Sequence, residues 1–324
     1  ARGGDTDPTR GVRTVLNQAL AIANGKGGVG KTSLTANIAV MAANSGWDTL
    51  VVDLDPQGNL GADLGYRHLG RSDEGRALSK AVQFEEPLEP PIRGIRDHLD
   101  AVPGGRLTRE LADVLTTRGA RVAAKAMDAA LAPLTDRYDL ILFDCPPGDD
   151  VLGDLGLAMA RALVIPIKFD TASMDGLELM ARRFRSIKTR AINSELELLG
   201  IVLFDFNPRA TALRRQVEGE LHRDFPYGVR VFDTAIRHSQ RAAYDMRRSG
   251  MAAVEYEQAA SEEREKRFAL LQSDRDLLKK FGPAKSQAAR GLADDYATLA
   301  NEILGAFTEP TIVITDTDDQ PLLD

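Results

Sequence analysis

The stretch Ala19-Leu20-Ala21-Ile22-Ala23-Asn24-Gly25-Lys26-Gly27-Gly28-Val29-Gly30-Lys31-Thr32-Ser33 decides the architecture. Its apolar opening reads as a buried strand. Leu34, Ile38 and Met41 follow at helical spacing, so a glycine-rich loop joins a strand to a helix. Gly25, Gly30, Lys31 and Thr32 satisfy G-x-x-x-x-G-K-[ST], the phosphate-loop pattern. The glycines let the backbone wrap so that successive N–H groups face phosphate oxygens. Gly27, Gly28, Val29 and Ser33 complete the candidate nucleotide-binding loop. The pattern assigns Lys31 to the β- and γ-phosphates and the Thr32 hydroxyl to Mg²⁺.

Two later apolar runs also end in carboxylates. In Thr49-Leu50-Val51-Val52-Asp53-Leu54-Asp55-Pro56-Gln57-Gly58-Asn59, a run suited to a strand buried on both faces stops at Asp53 and Asp55. Side chains of an extended chain repeat every second residue, so the two aspartates share one side. In Tyr138-Asp139-Leu140-Ile141-Leu142-Phe143-Asp144-Cys145-Pro146-Pro147-Gly148, Asp144 fits a carboxylate that holds Mg²⁺ through water. Carboxylates at strand C-termini sit at the mouth of an α/β sheet, where such folds bind ligands.

Lys26 lies inside the phosphate loop, where Lys31 already serves the phosphates. The segment Lys26-Gly27-Gly28-Val29-Gly30-Lys31-Thr32 resembles the deviant Walker A loop of the ParA/MinD family, and Val52-Asp53-Leu54-Asp55-Pro56-Gln57-Gly58-Asn59 is similar to the second nucleotide motif of ParA partition proteins. MinD-type proteins share the two aspartates but usually lack the Pro-Gln-Gly-Asn that follows. The resemblance covers roughly residues 18–250. It implies an ATPase using ATP and Mg²⁺, slow until a partner stimulates it. Lys26 would cross a homodimer interface to the partner subunit's nucleotide, Asp55 would orient the attacking water, and Asp53 would support the Mg²⁺ shell with Thr32 and Asp144. Asn207, in the loop after the apolar run Leu198–Phe204, would read the base.

The 324 residues carry a net charge of −7, unevenly placed. Between Arg182 and Arg248 there are 14 Lys/Arg against 8 Asp/Glu, which suggests a local anionic partner. Any one of these arginines taken alone reads as a solvated helix face. With the resemblance, Arg209, Arg214, Arg215, Arg237, Arg241, Arg247 and Arg248 become candidates for contact with non-specific DNA. A ParB-like centromere- or cargo-binding protein would then stimulate hydrolysis and release the dimer. A positioning ATPase for a protein or organelle cargo is the alternative, because the partner protein chooses the cargo.

Other classes fit less well. A MinD-like membrane switch needs a basic amphipathic C-terminal helix, whereas residues 309–324 carry five acidic and no basic residues. An iron–sulfur relative of the nitrogenase iron-protein type needs cluster-ligating cysteines, and Cys145 is the single cysteine. A phosphotransfer kinase leaves Lys26 unexplained. The lone cysteine and the lack of a long apolar run favour a cytoplasmic protein with no membrane partner, associated with the nucleoid if it binds DNA.

The expected fold is a doubly wound, mostly parallel sheet of the P-loop NTPase type with added C-terminal helices. The sequence divides into a flexible segment at 1–17, an ATPase domain at 18–250, a helical extension at 251–308 and an acidic, disordered tail at 309–324. One helix is expected over 107–133. A charged helix over 252–281 carries a narrow stripe of Phe268, Leu271, Leu278 and Phe281, and a further helix spans about 288–307.

Overall fold

The computed structural model describes residues 16–148, 151–169, 171–207, 209–224, 229–273 and 289–309. Seven strands form one sheet: β1 (Leu16–Ile22), β2 (Thr49–Asp53), β3 (Ile92–Arg96), β4 (Leu99–Val102), β5 (Leu140–Asp144), β6 (Ala160–Ile167) and β7 (Glu197–Leu203). The spatial order is β3-β4-β2-β5-β1-β6-β7. All neighbours run parallel except β3 and β4, an antiparallel pair at one edge. The doubly wound parallel sheet of the P-loop NTPase type is therefore present.

The central strands are apolar along their whole length because helices cover both faces. One face packs on α3 (Arg76–Phe84), α4 (Thr108–Arg118), α5 (Ala120–Thr135), α6 (Val151–Met159), α7 (Thr171–Thr189) and α8 (Thr211–Asp224). The other packs on α1 (Lys31–Asn44), α2 (Leu60–Asp63), α9 (Gln240–Ser249), α10 (Ala253–Ser273) and α11 (Ala289–Thr308). The single helix expected over 107–133 is two, broken at Gly119, whose φ of +84° favours glycine.

The expected boundaries shift at both ends. β1 begins at Leu16, inside the segment read as flexible, because Leu16 is buried against the sheet's core. Residues 1–15 lie outside the described residues. The expected boundary at 250 does not separate two cores. Tyr256, Tyr296, Leu299 and Ile303 pack in the same cluster as Leu20, Ile22 and Leu34. This explains α1, which buries small and apolar residues nearly all round because α11 lies along its outer side. In α10 the packed positions are Ala253, Tyr256 and Ala260, whereas Phe268 from the expected stripe is 63% exposed. Leu278 and Phe281, the expected stop at Gly282-Pro283, and all of the expected tail except Glu309 lie outside the described residues.

Candidate nucleotide-binding site

The phosphate loop sits between the C-terminal end of β1 and the first turn of α1, with Gly30 at the helix N-cap. Gly28 (φ +74°) and Gly30 (φ +90°) need the left-handed region that glycine occupies freely. Gly30 is also a close approach: a Cβ there would lie 2.3 Å from the Phe204 ring at the end of β7. Asn24, buried under the loop, donates to Pro166 O (2.7 Å) and accepts the Lys26 N–H (2.8 Å), so β6 sets the loop's entry angle. The Gly148 N–H donates to Gly25 O (2.7 Å), which ties the loop after β5 to the phosphate loop.

Lys31 is buried, and its Nζ donates to Lys26 O (2.8 Å). Burial pulls its pKa down, and the carboxylates of Asp144 and Asp55 oppose that shift. Lys26 lies half-buried at the rim of the loop.

Strand register brings the carboxylates together. Asp53 and Asp144 are paired positions on adjacent parallel strands, and Ile22, just before the phosphate loop, pairs with Asp144 on its other side. Both aspartates are fully buried. Asp53 Oδ1 accepts the Asp55 N–H (2.9 Å), and the Thr35 hydroxyl donates to Asp144 Oδ1 (3.3 Å). Among the described residues Asp53 Oδ2 and Asp144 Oδ2 have no hydrogen-bond partner. Burial and then the charge of Asp144 push Asp53 well above the usual carboxylate range. Burial also raises Asp144, against a hydrogen bond with Thr32. Two unpartnered, dehydrated carboxylate oxygens beside a threonine hydroxyl fit a hard divalent cation. Mg²⁺ commonly takes one or two carboxylates and completes its shell with water and phosphate oxygens. Thr32, Asp53 and Asp144 are the residues that would hold it.

Asp55 is buried at the cavity wall with Oδ1 accepting the Gln57 N–H (2.9 Å). The cavity, about 490 Å³, is lined by Gly27, Gly28, Gly30, Lys31, Thr32 and Ser33 of the loop and by Asp55. Its volume lies within the range of small-ligand sites. Asn207 does not line it: this exposed residue accepts the Arg209 N–H (3.0 Å) in a side-chain turn.

The structure separates the seven arginine candidates. Arg209, Arg215 and Arg248 are exposed, and Arg241 pairs with Asp245 one turn along α9. Arg214 is partly buried and donates to the backbone carbonyls of Phe232 (2.8 Å) and Asp233 (2.6 Å). Arg237 clasps both oxygens of Asp295 in α11 (2.6 and 2.7 Å). Arg247 lines the cavity beside Lys31 and pairs with Asp63 (2.6 Å). Sequence reasoning missed Asp63, which sits 184 positions from its partner and belongs to no motif.

Known proteins agree with this arrangement. The AAA-domain family profile matches residues 17–198. The chromosome-partitioning ATPase Soj of Thermus thermophilus is 34% identical over 226 residues, covering 69% of this chain and 82% of that protein. The chromosome partitioning protein ParA of Caulobacter vibrioides is 30% identical over 230 residues, covering 70% and 82%. Among solved structures, the McdA–ATP complex from Cyanothece superposes with a TM-score of 0.63 at 19% identity over 90% of this chain and 97% of that one, a likeness of fold. Cobyrinic acid a,c-diamide synthase from Mycobacterium smegmatis with bound ADP and magnesium gives 0.58 at 26% identity, covering 72% and 91%. Among the described residues no helix is long and apolar enough to cross a membrane. From its phosphate loop through its paired aspartates to its relatives, the chain belongs to the ParA family of P-loop ATPases with a deviant Walker A loop.

Proposed function

We propose that this chain is a nucleotide-gated partition switch: ATP and Mg²⁺ close two copies into a dimer that binds non-specific DNA, and hydrolysis releases it. The observation that carries the reading is the pair of oxygens left unpartnered among the described residues on Asp53 and Asp144, paired positions at the strand ends, with Asp144 acting on Lys31 of the phosphate loop. Lys31 and the loop N–H groups hold the phosphates. Thr32, Asp53 and Asp144 hold Mg²⁺, which when bound neutralises charge on the β- and γ-phosphates. Asp55, with Oδ1 fixed by the Gln57 N–H, orients the attacking water through its other oxygen. Lys26 contacts the partner subunit's nucleotide. In this reading basal turnover is slow until a ParB-like partner acts.

The energetics are adequate. Moving a two-state equilibrium from 1:99 to 99:1 takes about 5.5 kcal/mol of differential binding. Two lysine–phosphate contacts, one per subunit, contribute roughly 1.5–3 kcal/mol each. Removing the γ-phosphate removes that bias.

The deciding experiment is binding to a non-specific DNA duplex with ATP, ADP or no nucleotide, across salt. The reading expects binding with ATP alone, with log K falling by about 0.9 per phosphate contact per decade of salt. Lys26→Ala should bind ATP yet fail to dimerise or hold DNA. A wild-type protein that dimerises with ATP but ignores DNA in every state would move the role to a protein or organelle cargo. An ATP dimer from Lys26→Ala would remove the trans-acting lysine.

A further inference from the structure

Of the seven arginines considered for DNA, Arg247 is the one that lines the phosphate-loop cavity. It lies in the last turn of α9, and its backbone carbonyl accepts from the next turn and faces the His68 ring. Its guanidinium is held from one edge: Nε donates to Asp63 Oδ1 at 2.6 Å. The other oxygen of Asp63 accepts the Ser33 hydroxyl at 3.3 Å. Asp63 itself is buried. One carboxylate therefore ties the arginine to the residue directly after Thr32, in the first turn of α1. Among the described residues the two Nη groups have no hydrogen-bond partner, and the side chain keeps 47% of its surface open to the cavity and solvent. The bidentate fork of an arginine held at Nε is suited to phosphate oxygens.

The charge around the cavity points the same way. The carboxylates of Asp144 and Asp55 act on Lys31 and Asp63 lines the same cavity, so a polyanion entering that field gains from a further cation beside Lys31 and Arg183. Mg²⁺, when bound, would answer Asp53 and Asp144. Arg247 answers Asp63 and leaves donors over for the ligand. A DNA-binding arginine has no need of a buried carboxylate beside a phosphate loop.

Resting on the nucleotide reading above, we infer that Arg247 contacts the α/β-phosphate end of the nucleotide bound in its own subunit, held there by Asp63 and Ser33. The ligand class is a nucleoside di- or triphosphate. Contact beside Ser33 predicts equal use of ADP and ATP, because the γ-phosphate lies at the opposite end of the chain.

The test is the affinity of the full chain for mant-ATP and mant-ADP with Mg²⁺, in wild type, Arg247→Gln and Arg247→Lys. Gln keeps a donor for Asp63 and removes the cation. Losing a charge-assisted hydrogen bond should weaken both nucleotides about 10- to 100-fold. Lys, which keeps the charge without the fork, should fall between. The nucleotide-free melting temperature of Arg247→Gln controls for folding. If that variant unfolds, Asp63→Asn/Arg247→Gln removes the buried charge as well and is measured instead. Unchanged affinity for both nucleotides overturns the inference, and so does weaker DNA binding at saturating ATP with nucleotide affinity intact. A loss confined to ATP overturns the placement beside Ser33. Lys31→Ala separates the two levels. If it still binds ATP tightly, the phosphate-loop reading itself fails. If it loses ATP while Arg247→Gln binds normally, the inference alone fails.

Discussion

Gly30 is the position where backbone conformation and packing can be separated by experiment. Its φ of +90° costs a residue with a Cβ about 1–2 kcal/mol. In Gly30→Ala the new methyl would also lie 2.3 Å from Phe204 Cε2 and Cζ and 2.5 Å from Cδ2. Forcing a ring out of such an overlap costs about 1–3 kcal/mol. Together these give a loss of about 2–5 kcal/mol. Gly28→Ala is the control, because Gly28 has a similar φ of +74° and nothing within 4 Å of its would-be Cβ. It should lose the backbone contribution alone. Urea unfolding of both variants reads the difference. Phe204 lines the nucleotide cavity, so Gly30→Ala should also weaken nucleotide binding. Phe204→Ala in the Gly30→Ala background should recover the steric part as a favourable coupling of about 1–3 kcal/mol and leave the backbone part untouched. Equal losses for Gly28→Ala and Gly30→Ala, or no coupling to Phe204, would refute the reasoning.

Four further outcomes are expected. Asp53→Asn relieves a buried carboxyl set beside Asp144 with one oxygen unpartnered among the described residues, so it should raise the melting temperature of the metal-free protein and abolish stabilisation by Mg²⁺-ATP, both read by thermal unfolding. Arg237→Ala strands Asp295, which is 10% exposed. A buried broken pair costs about 3–5 kcal/mol, but Arg237 is 42% exposed, so about 1–3 kcal/mol is expected in denaturant unfolding. Exposed Arg209, Arg215 or Arg248 changed to Ala should stay within about 0.5 kcal/mol, so any DNA-binding loss in those variants reports contact rather than folding. Partial burial raises the Asp205 carboxyl, but hydrogen bonds from Lys168 and His238 outweigh it and hold the group below its usual range. Its stabilisation is thus complete above the ordinary carboxylate pKa and is lost as pH falls through the depressed value, and Asp205→Ala should flatten the acid limb of the stability profile.

The motif-bearing strands were legible because each is a continuous apolar run ending in a loop or carboxylate, and burial on both faces requires that composition. β3 was not. Ile92-Arg93-Gly94-Ile95-Arg96 is a half-exposed edge strand with a glycine at φ +62° and two arginines, so it lacks the apolar run that marks the central strands. The break at Gly119 was hidden because the residues on both sides favour helix. The C-terminal helices looked like an appendage because α10 is charged along its length. Their attachment rests on a few apolar positions, Ala253, Tyr256, Leu299 and Ile303, that meet α1 and the sheet. In the site, Lys31, Asp53 and Asp144 could be read because phosphate loops and strand ends place them by local geometry. Asp63–Arg247 could not, since that pair joins segments 184 residues apart.

That long-range pair is one of several ties between the segment following Asp55 and the start of the C-terminal helices. Gly65 and Gly250 touch backbone to backbone: a Cβ on Gly250 would lie 2.4 Å from Gly65 Cα. Arg96 donates to Leu64 O (3.2 Å) and to Gly250 O (2.9 Å) and pairs with Glu255. Asn37 of α1 accepts the Ala253 N–H (2.8 Å) and donates to Ser33 O (2.7 Å). The α9–α10 junction is thereby bound on one side to Leu64 and Gly65, in the segment that follows Asp55, and on the other through Asn37 to Ser33 of the phosphate loop. The outer surface of α9 presents Arg241 and Arg248. Coupling between distant sites requires a physical element whose position both can bias. In this chain α9 lies between the two, since Arg247 lines the nucleotide cavity while Arg241 and Arg248 face solvent. The contacts that join α9 to the segment following Asp55 and to α1 therefore run through residues that no nucleotide motif contains.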